Sequence, residues 1–218
     1  MHLQDSIKRF FQYAKRHGFQ ATVGRIGLSF KRAWTGNWHT IFYYDFVTFK
    51  LAALDSLNHS KVERKNAASE LDGQDLSLIA NVWNPHLARR QIAERFEQGA
   101  SLWLFKSNGK LAAYGWTIIG RTIEPYFVPL GTNDAHLFDF FVFPEYRGQR
   151  INPSLVNHIL TKLASEAKNR AFIEAAEWNT PQLSSLSKTP FQLFGLASKR
   201  NFFGKTLVVW SQKKLKQT

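Results

Sequence analysis

The chain of 218 residues has no cysteine and a single methionine. The lack of cysteine excludes disulfides and thiolate metal sites and fits a reducing compartment. No apolar run is long enough to cross a bilayer, and the first residues lack the apolar core of a signal peptide. The expectation is a soluble, cytoplasmic protein. The seven histidines are scattered, with no H-E-x-x-H or similar spacing, so no metal centre is expected. Internal repeats and low-complexity tracts are also missing. Acids are scarce: 16 Asp and Glu stand against 29 Lys and Arg, a formal net charge of +13. Such a field favours anionic partners such as phosphorylated cofactors, nucleotide sugars, nucleic acid or anionic lipid, without choosing among them.

Apolar and aromatic residues suffice for one packed domain with an extension. Residues 1–35 read as a basic amphipathic helical extension. Lys8, Arg9, Lys15, Arg16, Arg25, Lys31 and Arg32 face only Asp5, with Ile7, Phe10, Phe11 and Ala14 at helical spacing. This segment either packs on the domain or docks on an anionic membrane surface, at the inner membrane face. Residues 36–218 read as the main domain. A first strand is predicted over Trp38 to Val47, and a polar loop over residues 55–75. A short helix follows at Leu76 to Trp83, then a longer one to Gln98, capped by Asn84 and Pro85 and ended by Gly99. Strands at Ser101 to Ser107 and Lys110 to Ile119 flank Asn108-Gly109, a hairpin signal. A loop spans Thr122 to Ala135. Later come a strand at Ala171 to Trp178, a short helix at Thr180 to Lys188, and a terminal strand pair, Phe191 to Ser198 with Lys205 to Ser211.

The most informative stretch runs from His136 to Leu163. Phe138 to Phe143 is almost continuously apolar, as in a strand covered on both faces, and Pro144 stops it. Asn152 suits an N-cap and Pro153 a first helical position, and Val156, Ile159, Leu160, Leu163 and Ala167 share one face of the helix. Arg147 to Ile151 then lie just ahead of a helix N-terminus, where unpaired amides and the dipole attract anions.

The segment V-F-P-E-Y-R-G-Q-R-I-N-P-S-L resembles the acetyl-CoA signature of the GNAT N-acetyltransferases, written [QR]-x-x-G-x-[GA]. Arg147, Gly148 and Ile151 fit it. Arg150 stands where the pattern has glycine, and Asn152 where it has glycine or alanine. Arg150 therefore either blocks the phosphates or supplies them with a cation. The order of elements from Asn37 to Gln212 is similar to the family's, as is R-F-E-Q-G ahead of a hairpin ending in A-Y-G-W. Phe191 matches a late family phenylalanine, with Pro190 in place of the glycine before it. The form R-G-x-x-I-x-P-x-L behind a basic leader is similar to bacterial members tied to surface-polysaccharide synthesis.

The resemblance implies an α/β (α+β) GNAT fold, with a mixed central sheet and helices on both faces. It implies acetyl-CoA as cosubstrate and no metal. Arg147, Gly148, Gln149, Arg150, Ile151 and Asn152 would cradle the pyrophosphate. Main-chain groups of Phe141 and Val142 would pair with the pantetheine arm, and Asn179 matches an asparagine used against the same arm. The amine acceptor must be neutral to react, so a base or water relay is needed. Asp139, the only charge in an apolar strand, is the first candidate, since a lone buried carboxylate needs a partner or a task. His136 is a second, better read as a surface residue, and Glu174 and Glu177 are the remaining acids near the gap. The tyrosine that many members use as general acid is replaced by Leu186.

The expected activity is N-acetyl transfer to a small primary amine, an amino sugar or a nucleotide-linked amino sugar. The rival expectation is a catalytically weak CoA-binding module that docks on anionic lipid, nucleic acid or a protein. Nucleic acid is disfavoured as a partner of the enzyme, and a homodimer is allowed.

Overall fold

The computed structural model describes residues 37–48, 60–82, 85–202 and 205–211. The basic extension over residues 1–35 and the Asn84 cap lie outside them. The strands are β1 (Trp38–Asp45), β2 (Ser60–Lys65), β3 (Ser101–Ser107), β4 (Lys110–Ile119), β5 (Ala135–Val142), β6 (Arg170–Ala176), β7 (Gln192–Phe202) and β8 (Lys205–Trp210). The helices are α1 (Gly73–Asn81), α2 (Pro85–Glu97), α3 (Ile151–Ser165) and α4 (Thr180–Leu186). One eight-stranded sheet joins the strands in the order β2-β3-β4-β5-β6-β1-β7-β8. Every neighbour pair is antiparallel except β5 and β6.

Two apolar layers hold helices to the two faces. Ile151, Leu155, Val156, Ile159, Leu160 and Leu163 of α3 and Leu186 of α4 pack with Ala135, Leu137 and Ile173 on one face. Ile79 of α1 and Ile92 of α2 pack with Tyr114 and Trp116 on the other. The predicted hairpin is present, with Asn108 and Gly109 both at positive φ as a type I′ turn demands. Gly99 ends α2 at φ +81.

Three element boundaries need correction. Residues 55–75 are not all loop: β2 and the start of α1 lie there. SKVERK has one apolar residue and no alternation to betray a strand, because it forms the sheet edge, where charged side chains deter further pairing. The N-cap of α1 is Asp72, whose carboxylate accepts from the Asp75 amide at 2.7 Å. The third correction is to α3, which starts two residues early at Ile151 with Arg150 as its cap. Asn152 and Pro153 sit inside the first turn, where a missing N–H costs nothing.

Phe138–Phe143 is not buried on both faces. Its residues are half-buried, and Asp139 is exposed. A β-bulge sets Asp139 and Phe140 against Gly115, with Asp139 at φ +52. The bulge reverses the alternation: Phe138 and Phe141 pack on the α1–α2 side, and Phe140 and Val142 on the α3 side. A Cβ on Gly115 would overlap the Phe140 ring. Gly115→Ala is therefore expected to destabilise the fold by about 1–3 kcal/mol, the usual cost of overpacking. Chemical denaturation of the variant checks this, and an unchanged midpoint would contradict it.

Candidate active site

β5 and β6 pair only through Ala135↔Ala171, His136↔Phe172 and Leu137↔Ile173. Past that point the two parallel strands part. The gap opens into a cavity of about 500 Å³ between the end of β5, the start of α3 and the outer face of α4. Arg147, Gly148, Arg150 and Asn152 line one side, and Asn179, Gln182, Ser185 and Lys188 the other. No acid is among the lining residues, so the cavity suits an anion.

The 147–152 loop presents its backbone to that cavity. Gly148 lies at φ +80 and Arg150 at φ +57. The left-handed value at Arg150 explains the glycine of the family pattern, since a side chain there costs strain. The Arg150 side chain is exposed and lines the cavity, and its carbonyl accepts from the Ser154 amide at 3.1 Å and the Ser154 hydroxyl at 3.0 Å. Among the described residues, none accepts the N–H groups of Gly148 to Asn152. These amides lie at the start of a 15-residue helix, where unpaired N–H groups and the helix dipole attract negative charge. Not every side chain of the loop takes part. Gln149 turns back to donate to the Glu145 carbonyl at 3.3 Å, and Ile151 is buried in the core, so both offer only backbone N–H.

The Phe141 expectation is corrected. The Phe143 amide donates to Ala112 on β4, so Phe141 shares that orientation and the intervening Val142 faces the gap. Arg147 Nε donates to the Val142 carbonyl at 3.2 Å, which leaves the Val142 N–H for a ligand. Phe141 contributes its ring, stacked on Tyr114. Asn179 caps α4, its Oδ1 accepting from the Gln182 amide at 3.3 Å, so its Nδ2 is what remains for a ligand. Leu186, in the position of the family tyrosine, is wholly buried in the core.

On the opposite face of the sheet, Glu174 is one residue beyond the last β5–β6 rung. His136 is buried rather than superficial, and its Nε2 lies 3.0 Å from Glu174 Oε2. The Tyr126 ring is 4.3 Å from the imidazole and the Phe138 ring 5.3 Å, centroid to centroid. The Tyr126 hydroxyl lies near the same carboxylate but outside hydrogen-bonding geometry. Burial alone would raise the Glu174 carboxyl. His136 and the Lys199 ammonium outweigh it and hold the group below the usual carboxylate range. Folded Glu174 therefore releases its proton at lower pH than in the unfolded chain. Its stabilising contribution is present above the unfolded value of about 4.3 and is lost as pH falls through the folded one. Burial pushes the His39 imidazole down, and burial pushes the Tyr126 phenol well up.

The loop over residues 120–134 covers this cluster and is pinned at both ends. Arg170 makes a bidentate pair with buried Asp134, at 2.6 and 3.1 Å, and Lys199 donates to the Pro125 carbonyl at 2.7 Å while lying over the Phe127 ring.

The two other catalytic candidates are not part of this cluster. Asp139 is turned out by the bulge and engaged by Arg95 at 2.5 Å, whose guanidinium lies over Trp116 and Phe138. Its charge is neither buried nor lone. Glu177 is exposed beyond the end of β6, its amide donating to the Trp38 carbonyl. Glu174 is the acid that the fold brings to the gap. The available signal was its place within the apolar strand, two residues after Phe172 and so on the same face.

A sheet split between two parallel strands, with an amide-rich loop and helix at one side, defines an acyl-CoA-type transferase fold. A family model described as "Acetyltransferase (GNAT) family" matches residues 66–185, more than half of the chain, and the chain belongs to that family. No curated protein sequence matches it. A GNAT-family acetyltransferase from Colwellia psychrerythraea superposes with a TM-score of 0.53 at 17% identity, over 72% of this chain and 53% of the other. A tandem GNAT protein from the clavulanic acid biosynthesis pathway gives 0.55 at 14% identity, over 73% and 51%. The glucosamine N-acetyltransferase region of a fungal multi-domain β-N-acetylglucosaminidase gives 0.56 at 15%, over 79% and 22%. The chain thus spans about half, or less, of the length of these proteins. Such identities speak for the fold alone. β1, β2, β7 and β8 lie outside the matched segment.

Proposed function

We propose that the protein transfers an acetyl group from acetyl-CoA to a small primary amine that enters on the Glu174 face of the gap. The observation that carries this reading is the parting of β5 and β6, with a cavity lined by Arg147, Arg150 and Lys188 and by no acid on one side and Glu174 at the apex on the other. Bound in the gap, acetyl-CoA supplies an acetyl group already activated as a thioester. The amides of residues 148–152, with Arg147, Arg150 and Lys188, would hold its phosphates. The Val142 N–H would face the thioester carbonyl and stabilise negative charge on its oxygen.

The acceptor side follows from Glu174. A carboxylate held low is a weak base but a good magnet for an ammonium group. The bond to His136 fixes the orientation of Glu174. The ammonium sheds its proton through Glu174 or a water in the open gap, and the neutral amine can then attack. An amino sugar, carried on an anionic nucleotide, is the acceptor that fits the loop and the net positive charge best.

Release of free thiol from acetyl-CoA, followed against a panel of amines, tests the reading. Turnover with free amino sugars and none with their N-acetylated forms is expected. Tight CoA binding without turnover on any amine would overturn it in favour of a non-catalytic binding module, to which the buried Leu186 in place of a tyrosine also points.

A further inference from the structure

The loop between β4 and β5 forms a second cavity of about 320 Å³, lined by Gly120, Arg121, Thr122 and residues 126–130. It shares no residue with the cavity at the start of α3. No carboxylate lines it, and Glu124, the one acid between Gly120 and Leu130, stays outside the lining. Arg121 is exposed, and among the described residues its guanidinium enters no ion pair. No backbone carbonyl of the described residues accepts the N–H groups of residues 121, 122, 126–128 or 130. A free guanidinium, spare backbone donors and no competing acid together suit an oxyanion. The wall of this cavity is also the cover of the Glu174 cluster. Tyr126 and Phe127 line the cavity, and their rings lie 4.3 Å from that of His136 and 5.3 Å from that of His39, centroid to centroid. Lys199 holds the wall in place through the Pro125 carbonyl and the Phe127 ring.

We propose that this loop cavity receives a phosphate group carried by the amine acceptor, with Arg121 as the side chain that reads it. The inference rests on the reading above, in which the amine enters on the Glu174 face. The acceptor then meets opposite charges at two places. Glu174 draws its ammonium group and Arg121 its phosphate. Such a ligand is held in one orientation, because turning it round would set like charges together. Several donors side by side suit the three free oxygens of a phosphate monoester better than the two of a carboxylate. The specificity for an acidic amine would thus lie in the β4–β5 loop, apart from the residues that hold the cosubstrate.

Calorimetric titration with glucosamine, glucosamine 1-phosphate and glucosamine 6-phosphate tests this, since the three share one amine. At least one of the phosphates is expected to bind about tenfold tighter than glucosamine, the size of one charge-assisted contact. Arg121→Gln is expected to erase that difference while glucosamine and CoA bind as before. Gly148→Pro, on the cosubstrate side, is expected to keep it. No preference for either phosphate in the unaltered protein would overturn the inference. So would a preference that survives Arg121→Gln or disappears in Gly148→Pro. Inorganic phosphate bound as tightly as the sugar phosphates, with the same dependence on Arg121, would also overturn it, as the site would then be one for the free ion. An Arg121-dependent preference without thiol release from acetyl-CoA on any of the three sugars would leave the phosphate site standing and count against the transfer reading instead.

Discussion

Glu174→Gln is expected to lower acetyl transfer about 10²–10³-fold, the usual worth of a positioned proton-transfer group, while CoA affinity stays the same. Glutamine fills the same volume and can still pair with His136, so the fold is preserved. What it loses is the negative charge, held in place by His136 and Lys199, at the first position past the last β5–β6 rung. Without that charge the ammonium form of the acceptor is no longer drawn to the gap, and its proton has no assigned destination. CoA affinity is spared because Glu174 does not line the cavity around the phosphate loop. Asp139→Asn is the informative contrast. It loosens the Arg95 contact but leaves the apex intact, so a loss as large as that of Glu174→Gln would return the catalytic role to Asp139. Steady-state rates against amine, with CoA titrated separately, decide between them.

Gly148→Pro is expected to weaken acetyl-CoA at least about 100-fold, because two or more charge-assisted amide contacts are lost together. Gly148 sits at φ +80, whereas proline holds φ near −65° and has no N–H to offer. The loop would have to be rebuilt, and the amides of Gln149 to Asn152 would no longer converge. The fold itself should survive, because Gly148 is exposed and nothing lies within 4 Å of an added Cβ. Gly148→Ala pays the left-handed strain but keeps the N–H, and should fall between the two. Calorimetry with CoA and circular dichroism on the same samples check both statements.

The architecture was largely legible because its signals are local. Asn108-Gly109 marks a hairpin through backbone conformation alone, and the apolar face of α3 needs no partner to be seen. The 147–152 turn was legible for the same reason: a strand stop, a short turn and a helix start are all written within a few residues. What escaped depends on distant pairing. SKVERK becomes a strand only because β3 offers it a ladder, and nothing in WHTIFYYD says that it will insert between β6 and β7. The bulge at Asp139 was hidden by the continuous apolar run around it, since a run reads the same in either register. That one irregularity moved the first catalytic candidate out to Arg95. It also reversed which of Phe140 and Phe141 faces the α3 side. Glu174 and His136 are far apart in sequence and meet only where two parallel strands separate, so their pairing could not be read from spacing.

The central claim is that acetyl-CoA occupies the gap between β5 and β6. The most direct measurement is the difference density of crystals grown with acetyl-CoA. The account predicts phosphate density at the amides of Gly148 to Asn152, with the thioester beside the Val142 N–H. Density for the cosubstrate at any other place, or an empty gap at saturating acetyl-CoA, would contradict it.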